Sequence, residues 1–219
     1  MATYLITGTS RGIGLEYCKQ LQEKGETVIA VCRQPSEPLN QLGVQIESEI
    51  DVNSDESVSK LAQRLKGTQI DVLINNAGII EANSLDNLQF ESLERQFRIN
   101  AVSPLRVTKA LLPMIPQQGK VILMTSRMGS IEDNTSGGYY GYRMSKTALN
   151  MAGKSLAEDL KPYQIAVGIL HPGMVQTRMT DFSGITPTEA VQGLLQRIDQ
   201  LNLNNTGTFW HAKGEVLPW

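Results

Sequence analysis

Tyr142 and Lys146 stand four residues apart, a separation that on a helix places both side chains on one face about a turn apart. An ammonium beside a phenol favours the phenolate. A free tyrosine titrates near ~10, too high for efficient exchange at neutral pH, and a neighbouring cation brings it toward the working range. Tyr142 could then give a proton to a developing alkoxide. Tyr139 with Arg143 has the same spacing, while Tyr140 with Met144 supplies no charge, so spacing alone leaves two candidate pairs. A solvated pair on a helix surface is the plain alternative for either.

A second chemical feature lies near the start of the chain. Thr7-Gly8-Thr9-Ser10-Arg11-Gly12-Ile13-Gly14 joins an apolar, β-rich run (Thr3 to Thr7) to a helical repeat of Ile13, Tyr17 and Leu21. In an open parallel sheet, this junction is where a dinucleotide pyrophosphate binds. One glycine permits the tight turn, one lets backbone N–H groups approach the phosphates, and one lets helix pack on strand. The spacing is GxxxGxG rather than GxGxxG, and no Gly-Lys-Ser/Thr follows to make a Walker loop.

These groups need a scaffold. Further apolar runs at Thr27 to Cys32, Val44 to Ile50, Ile70 to Asn75, Lys120 to Ser126 and Gln164 to Leu170 alternate with helix-period segments. That rhythm predicts an α/β fold, a Rossmann-like doubly wound parallel sheet with helices on both faces, built as a single domain over residues 1–219. A long helix from about Phe90 to Leu112 contains Pro104, which removes a backbone donor and predicts a kink near Asn100, where freed carbonyls could hold water. Ser126 is expected at the carboxyl edge of the sheet, where ligands bind. A second long helix is expected from Tyr139 to Leu160, a last one from Thr188 to Leu201, and a short strand from Gly207 to His211.

Composition narrows the class of function. Twenty Lys and Arg against 22 Asp and Glu leave a net charge of −2, with no basic stripe for nucleic acid. Hydrophobic residues at 41% and charged ones at 19% provide for a sizeable core. No run approaches the ~20 apolar residues that span a bilayer, and Met1 to Thr7 lacks the features of an export signal, so a cytoplasmic protein without a membrane partner is expected. Cys18 and Cys32 read as reduced thiols filling core space. His171 and His211 lack a metal-ligand spacing, and no metal is expected.

Taken in order, Thr7-Gly8-xxx-Gly12-x-Gly14, Asp51-Val52, Asn75-Asn76-Ala77-Gly78, Asn100, Ser126, Tyr142-xxx-Lys146 and Pro172-Gly173 with Thr177 resemble the short-chain dehydrogenase/reductase family over nearly the whole chain. Within it, Thr206-Gly207-Thr208-Phe209-Trp210 and the ending Gly214 to Trp219 are most similar to the C-factor or sniffer-like carbonyl reductase branch. The resemblance selects Tyr142 over Tyr139, because the family segment reads Tyr-x-x-Ser-Lys. It implies that Tyr142 is the general acid/base and that Lys146 binds the nicotinamide ribose and depresses the tyrosine pKa. Ser126 would hydrogen-bond the substrate oxygen, and Asn100 would hold a relay water.

It further implies an NADP(H) site that includes Gly8, Ser10, Arg11, Gly12, Ile13 and Gly14. Where NAD-preferring members carry an acid at the end of the second strand, this chain has Cys32 followed by Arg33, so Arg33 and Arg11 are expected to grip a 2′-phosphate. Asp51 and Val52 would meet the adenine, although an N-cap role for Asp51 is a rival. Asn76, Ala77 and Gly78 would flank the adenine ribose, and Pro172, Gly173, Val175 and Thr177 would reach the nicotinamide. The stretch between Ser126 and Tyr142 is longer than usual for the family, placing a loop around Ile131 to Gly138 near the substrate. The segment Arg178 to Pro187 is short for a lid and implies an open pocket, which Met174, Met179 and Phe182 could line. The expected activity is NADPH-dependent reduction of an aldehyde or ketone, or the reverse oxidation of an alcohol, on a small-molecule substrate by a homodimer or homotetramer. A signalling or redox-sensing protein that binds NADP(H) with incidental turnover is the alternative.

Overall fold

The computed structural model describes residues 1–219. Seven strands, β1 (Thr3–Thr7), β2 (Thr27–Val31), β3 (Gln45–Glu47), β4 (Val72–Asn75), β5 (Lys120–Met124), β6 (Ala166–His171) and β7 (Phe209–His211), form one sheet in the order β3-β2-β1-β4-β5-β6-β7. Every pairing is parallel. The helices are α1 (Gly12–Glu23), α2 (Glu37–Asn40), α3 (Asp55–Arg64), α4 (Phe90–Phe97), α5 (Ser103–Leu111), α6 (Tyr140–Leu160) and α7 (Pro187–Gln200). The chain winds outward from β1 to β3, then crosses back to β4 and winds the other way. Between β1 and β4 the strand order reverses, which opens a crevice at their carboxyl ends.

Side-chain alternation along the buried strands feeds two cores, one on each face of the sheet. Tyr4, Ile6, Ile122 and Met124 pack with Tyr17 and Leu21 of α1 and Val191, Leu194 and Ile198 of α7. Leu5, Leu73, Val121 and Leu123 pack with Leu61, Val107, Leu111 and Leu149 of α3, α5 and α6. This is the doubly wound arrangement that the alternating sequence predicts.

Several boundaries differ from those expected. β3 is confined to Gln45–Glu47 at the sheet edge, with Gln45 exposed, so Val44 and Ser48 to Ile50 lie outside the strand. β5 stops at Met124, leaving Thr125 and Ser126 beyond it; Ser126 caps a short 3₁₀ turn, Arg127–Gly129, by accepting from Met128 N. The disturbance expected near Asn100 is a π-helical turn, Arg98–Val102, set between α4 and α5. Pro104 has no N–H to offer the Asn100 carbonyl four residues back, and the ladder widens so that Ser103 N donates to Arg98 O.

Candidate active site

The glycine loop is shaped by close approach of backbone to backbone. Gly8 has φ +74°, and a Cβ there would lie 2.8 Å from the Ala77 Cα; at Gly14 a Cβ would lie 2.2 Å from the Gly8 carbonyl oxygen. No side chain fits either position. Thr7 Oγ1 accepts from Asn76 N and Ala77 N, and Asn76 Nδ2 donates to Thr7 O and Gly8 O, so the ends of β1 and β4 are stitched together. Arg11 at the N-cap of α1 makes no side-chain cap bond, and the first turn holds no acid. Unpaired N–H groups and the positive helix end therefore face an open cradle suited to an anion.

Other expected nucleotide contacts surround it. A Cβ on Gly12 would touch Thr177 Cγ2 at 3.3 Å, which places Thr177, beyond Pro172-Gly173, over the loop. Gly173 holds φ +89°, and Val175 is buried and bridges to Ile185. Arg11 and Arg33 are exposed, and neither enters an ion pair. Asp51 does not cap α3; Ser54 does so by accepting from Ser57 N, while Asp51 closes a turn onto Asn53 N.

The residues proposed for proton chemistry converge at the carboxyl edge of β5. Tyr142 and Lys146 lie on the buried face of α6, with Lys146 Nζ 5.7 Å from the Tyr142 ring centroid. Tyr139 precedes the helix in a left-handed conformation and is 41% exposed against 7% for Tyr142. Its spacing partner Arg143 is engaged by the Gly137 and Gly138 carbonyls and Ser136 Oγ. The geometry thus joins Tyr142, and not Tyr139, to Ser126 and Lys146.

Burial governs the charges here. Desolvation pushes the Tyr142 phenol up to about 12, and its hydrogen bond with Ser126 pulls the other way. Lys146 is brought down to about 8 by desolvation, and its Nζ donates to Met124 O at 2.8 Å. The ammonium does not lower the tyrosine as the spacing suggests, because loss of hydration dominates. His171, packed edge-on against His211 at 5.0 Å between ring centroids, is pushed down to about 3 by burial and by His211, so it is neutral.

Asn100 is buried and its amide is fully used: Oδ1 accepts from Ile79 N, and Nδ2 donates to Ile79 O and Ser145 Oγ. A Cβ on Gly78 would lie 3.1 Å from Asn100 Oδ1 and 3.6 Å from Lys146 Nζ, which brings the end of β4 against the π turn and α6. The group Asn100 has left to offer a ligand is its main-chain carbonyl.

Gly129 and Asn150 have no expected role from sequence. A Cβ on Gly129 would lie 2.8 Å from the Lys146 carbonyl carbon, so the turn after Ser126 presses on α6. Asn150 accepts from Thr125 Oγ1 and donates to Gly129 O, holding that turn from below. The one available signal was an amide on the inward face of a long helix.

Comparison with known proteins agrees with this architecture. A family model described as short chain dehydrogenase matches residues 2–187. The 1-hydroxy-2-glutathionyl-2-methyl-3-butene dehydrogenase of Rhodococcus sp. (strain AD45) is 41% identical over 226 residues, covering all of both chains. Among solved structures, the carbonyl reductase Sniffer of D. melanogaster superposes with a TM-score of 0.93 at 32% identity, covering all of both chains. NADPH-bound carbonyl reductase from chicken fatty liver superposes with a TM-score of 0.92 at 30% identity, over 100% of this chain and 99% of that one. With most of its length matched in sequence and its whole backbone in structure, the chain belongs to the short chain dehydrogenase family.

Proposed function

We propose that residues 1–219 form one NADP(H)-binding domain that reduces the carbonyl of an aldehyde or ketone to an alcohol, with Tyr142 as proton donor. The observation that carries this reading is the convergence of Ser126, Tyr142 and Lys146 on the sheet edge beside the anion cradle at the start of α1. Cofactor binding by relatives supports the same choice, since the chicken neighbour holds NADPH. When bound, the nicotinamide supplies the hydride.

The chain's own groups do the rest. Gly8, Gly12 and Gly14, with the first turn of α1, receive the pyrophosphate, with Ser10 and Ile13 in the same loop. Asn76, Ala77 and Gly78 line the ribose side, and Asp51 and Val52 the adenine side. Pro172, Gly173, Val175 and Thr177 close over the nicotinamide end. Arg33 and Arg11 meet the 2′-phosphate, for which their exposed, unpaired guanidinium groups are suited.

Ser126 donates to the carbonyl oxygen and Tyr142 delivers its proton as the oxygen gains charge. A phenol held near 12 is fully protonated at neutral pH, the state a reduction requires. Lys146 orients the ribose and stabilises the phenolate that remains. The Asn100 carbonyl holds the water through which the proton is replaced. The reverse oxidation uses the same groups, and the Rhodococcus relative is named a dehydrogenase. We further infer a homodimer or homotetramer in the cytoplasm, supported by an exposed apolar face on α6 and by two unpaired, buried thiols. No helix is long and apolar enough to cross a membrane.

The test is NADPH oxidation with a panel of aldehydes, ketones and quinones. Tyr142→Phe should lower kcat by about 10²-fold or more while NADPH still binds. Arg33→Ala should weaken NADPH by about tenfold and leave NADH unchanged, the worth of one charge-assisted bond. Near-normal turnover by Tyr142→Phe overturns the proton-donor assignment, and a protein that binds NADPH but reduces nothing on the panel favours the sensor alternative.

A further inference from the structure

Two cavities flank the first turn of α6, and one charged side chain stands between them. The outer groove, of 540 Å³, is apolar and is lined by residues such as Phe97, Ile131, Met144 and Met151. The second cleft, of 620 Å³, carries the polar side chains of Asn83, Ser84, Asn87, Ser136 and Tyr139 on its walls. Met128, Gly137, Gly138 and Arg143 line both, and Arg143 is the only charged residue on either wall. That cleft neighbours the candidate active site along the chain: Tyr139 is three residues before Tyr142, and Met128 is two residues beyond Ser126.

Arg143 is poorly placed for the helix that carries it. A cation in the first turn meets the positive end of the helix dipole, and α6 has no acid there to offset it. Its hydrogen bonds go to neutral acceptors, the Gly137 and Gly138 carbonyls and Ser136 Oγ, through Nε and Nη2. No carboxylate pairs with it, in contrast to Arg127, which pairs with Asp133 and Glu215. A half-buried guanidinium held rigidly by neutral groups, with Nη1 free, is preorganised for an anion.

We propose that Arg143 is the anion anchor of the substrate cleft and that the enzyme selects carbonyl or alcohol substrates bearing a carboxylate. This rests on the reductase reading above for the position of the reacting carbon, while the anchor itself rests on the cleft. The carboxylate forms charge-assisted bonds with the free edge of the guanidinium, and the cleft accommodates the chain that links it to the reacting carbon.

The experiment compares ω-oxo carboxylates of increasing chain length with their primary amides as NADPH-dependent substrates, at low and high salt. Wild-type kcat/KM should favour the acid over the amide by about tenfold at low salt, with an optimum chain length, and salt should erode the preference. Arg143→Gln should bring the ratio near one with the amide little affected, and Arg143→Lys should restore part of it. A wild-type ratio near one overturns the proposal, as does a ratio that survives Arg143→Gln. An equal loss for acid and amide in Arg143→Gln also overturns it, since the residue then only holds the loop.

A calorimetric titration with alkanoates and the matching alkanamides, which needs no turnover, separates the two readings. A carboxylate preference abolished by Arg143→Gln upholds the anchor even if no aldehyde is reduced; equal binding of acid and amide rejects it.

Discussion

The protonation states of Tyr142 and Lys146 are set by burial before any ligand arrives. Desolvation holds Lys146 near 8 against its ordinary 10.5, so folding must pay to keep it charged at neutral pH. Between about pH 8 and 10.5 the unfolded chain binds more protons than the folded one, and stability attributable to this residue rises with pH across that window. Below pH 8 the penalty is fully present. Lys146→Met should therefore be more stable than wild type at pH 7, by about 1–3 kcal/mol, with the gap closing toward pH 10 as it loses activity. Denaturant melts at the two pH values check this, and an unchanged or widening gap would show that the hydrogen bond to Met124 O outweighs desolvation.

At the scale of elements, the site depends on the turn after β5 being pressed onto α6. The Arg127–Gly129 turn is clamped between α6, through Thr147 Oγ1 and Asn150 Nδ2 on Gly129 O, and the chain's last residues, through Arg127 with Glu215. Trp219 O accepts from Ser130 Oγ, Ile131 N and Glu132 N, which anchors the expected loop of residues 131–138 at its root. Gly129→Ala has no backbone strain, because its φ is negative, but its Cβ would meet the Lys146 main chain. Turn and helix must separate by a few tenths of an ångström or more. The variant should stay folded with a stability loss of about 1–3 kcal/mol and a kcat lowered at least about tenfold, since the Ser126 and Tyr142 oxygens part. Wild-type kcat in a folded Gly129→Ala would show that the spacing is not critical.

The whole molecule leaves an apolar face of α6 uncovered. On α6, Leu149 is buried in the core, with Ala148 and Leu156 partly buried and packed against it. The exposed face lies further round the helix, where Met144 is 55% and Met151 68% accessible beside Phe97 and Ile131. A second copy packing there would cover that groove. Light scattering at micromolar concentration should give about twice or four times 24.1 kDa, and Met144→Glu with Met151→Glu should reduce it to the monomer. A wild-type mass of 24.1 kDa would reject the oligomer.

The sequence by itself determined the alternating parallel architecture, the glycine loop between β1 and α1, and the break at Pro104, because each is written in neighbours along the chain: alternation, spacing, a missing N–H. It also placed Ser126 and the Tyr142–Lys146 pair, through motif order. Only the tertiary structure decided the environment of those groups. Tyr142 and Tyr139 are equivalent by spacing, yet one is enclosed by β5 and the turn after it while the other caps the helix in solvent. The partners of the Asn100 amide, Ile79 and Ser145, lie 21 and 45 residues away and could not be read along the chain. The same holds for the phenol pushed up and the ammonium pushed down. A pKa, a filled hydrogen bond and an unpaired Arg143 depend on what packs around a group from distant segments, and that density is fixed only when the sheet and helices close on one another.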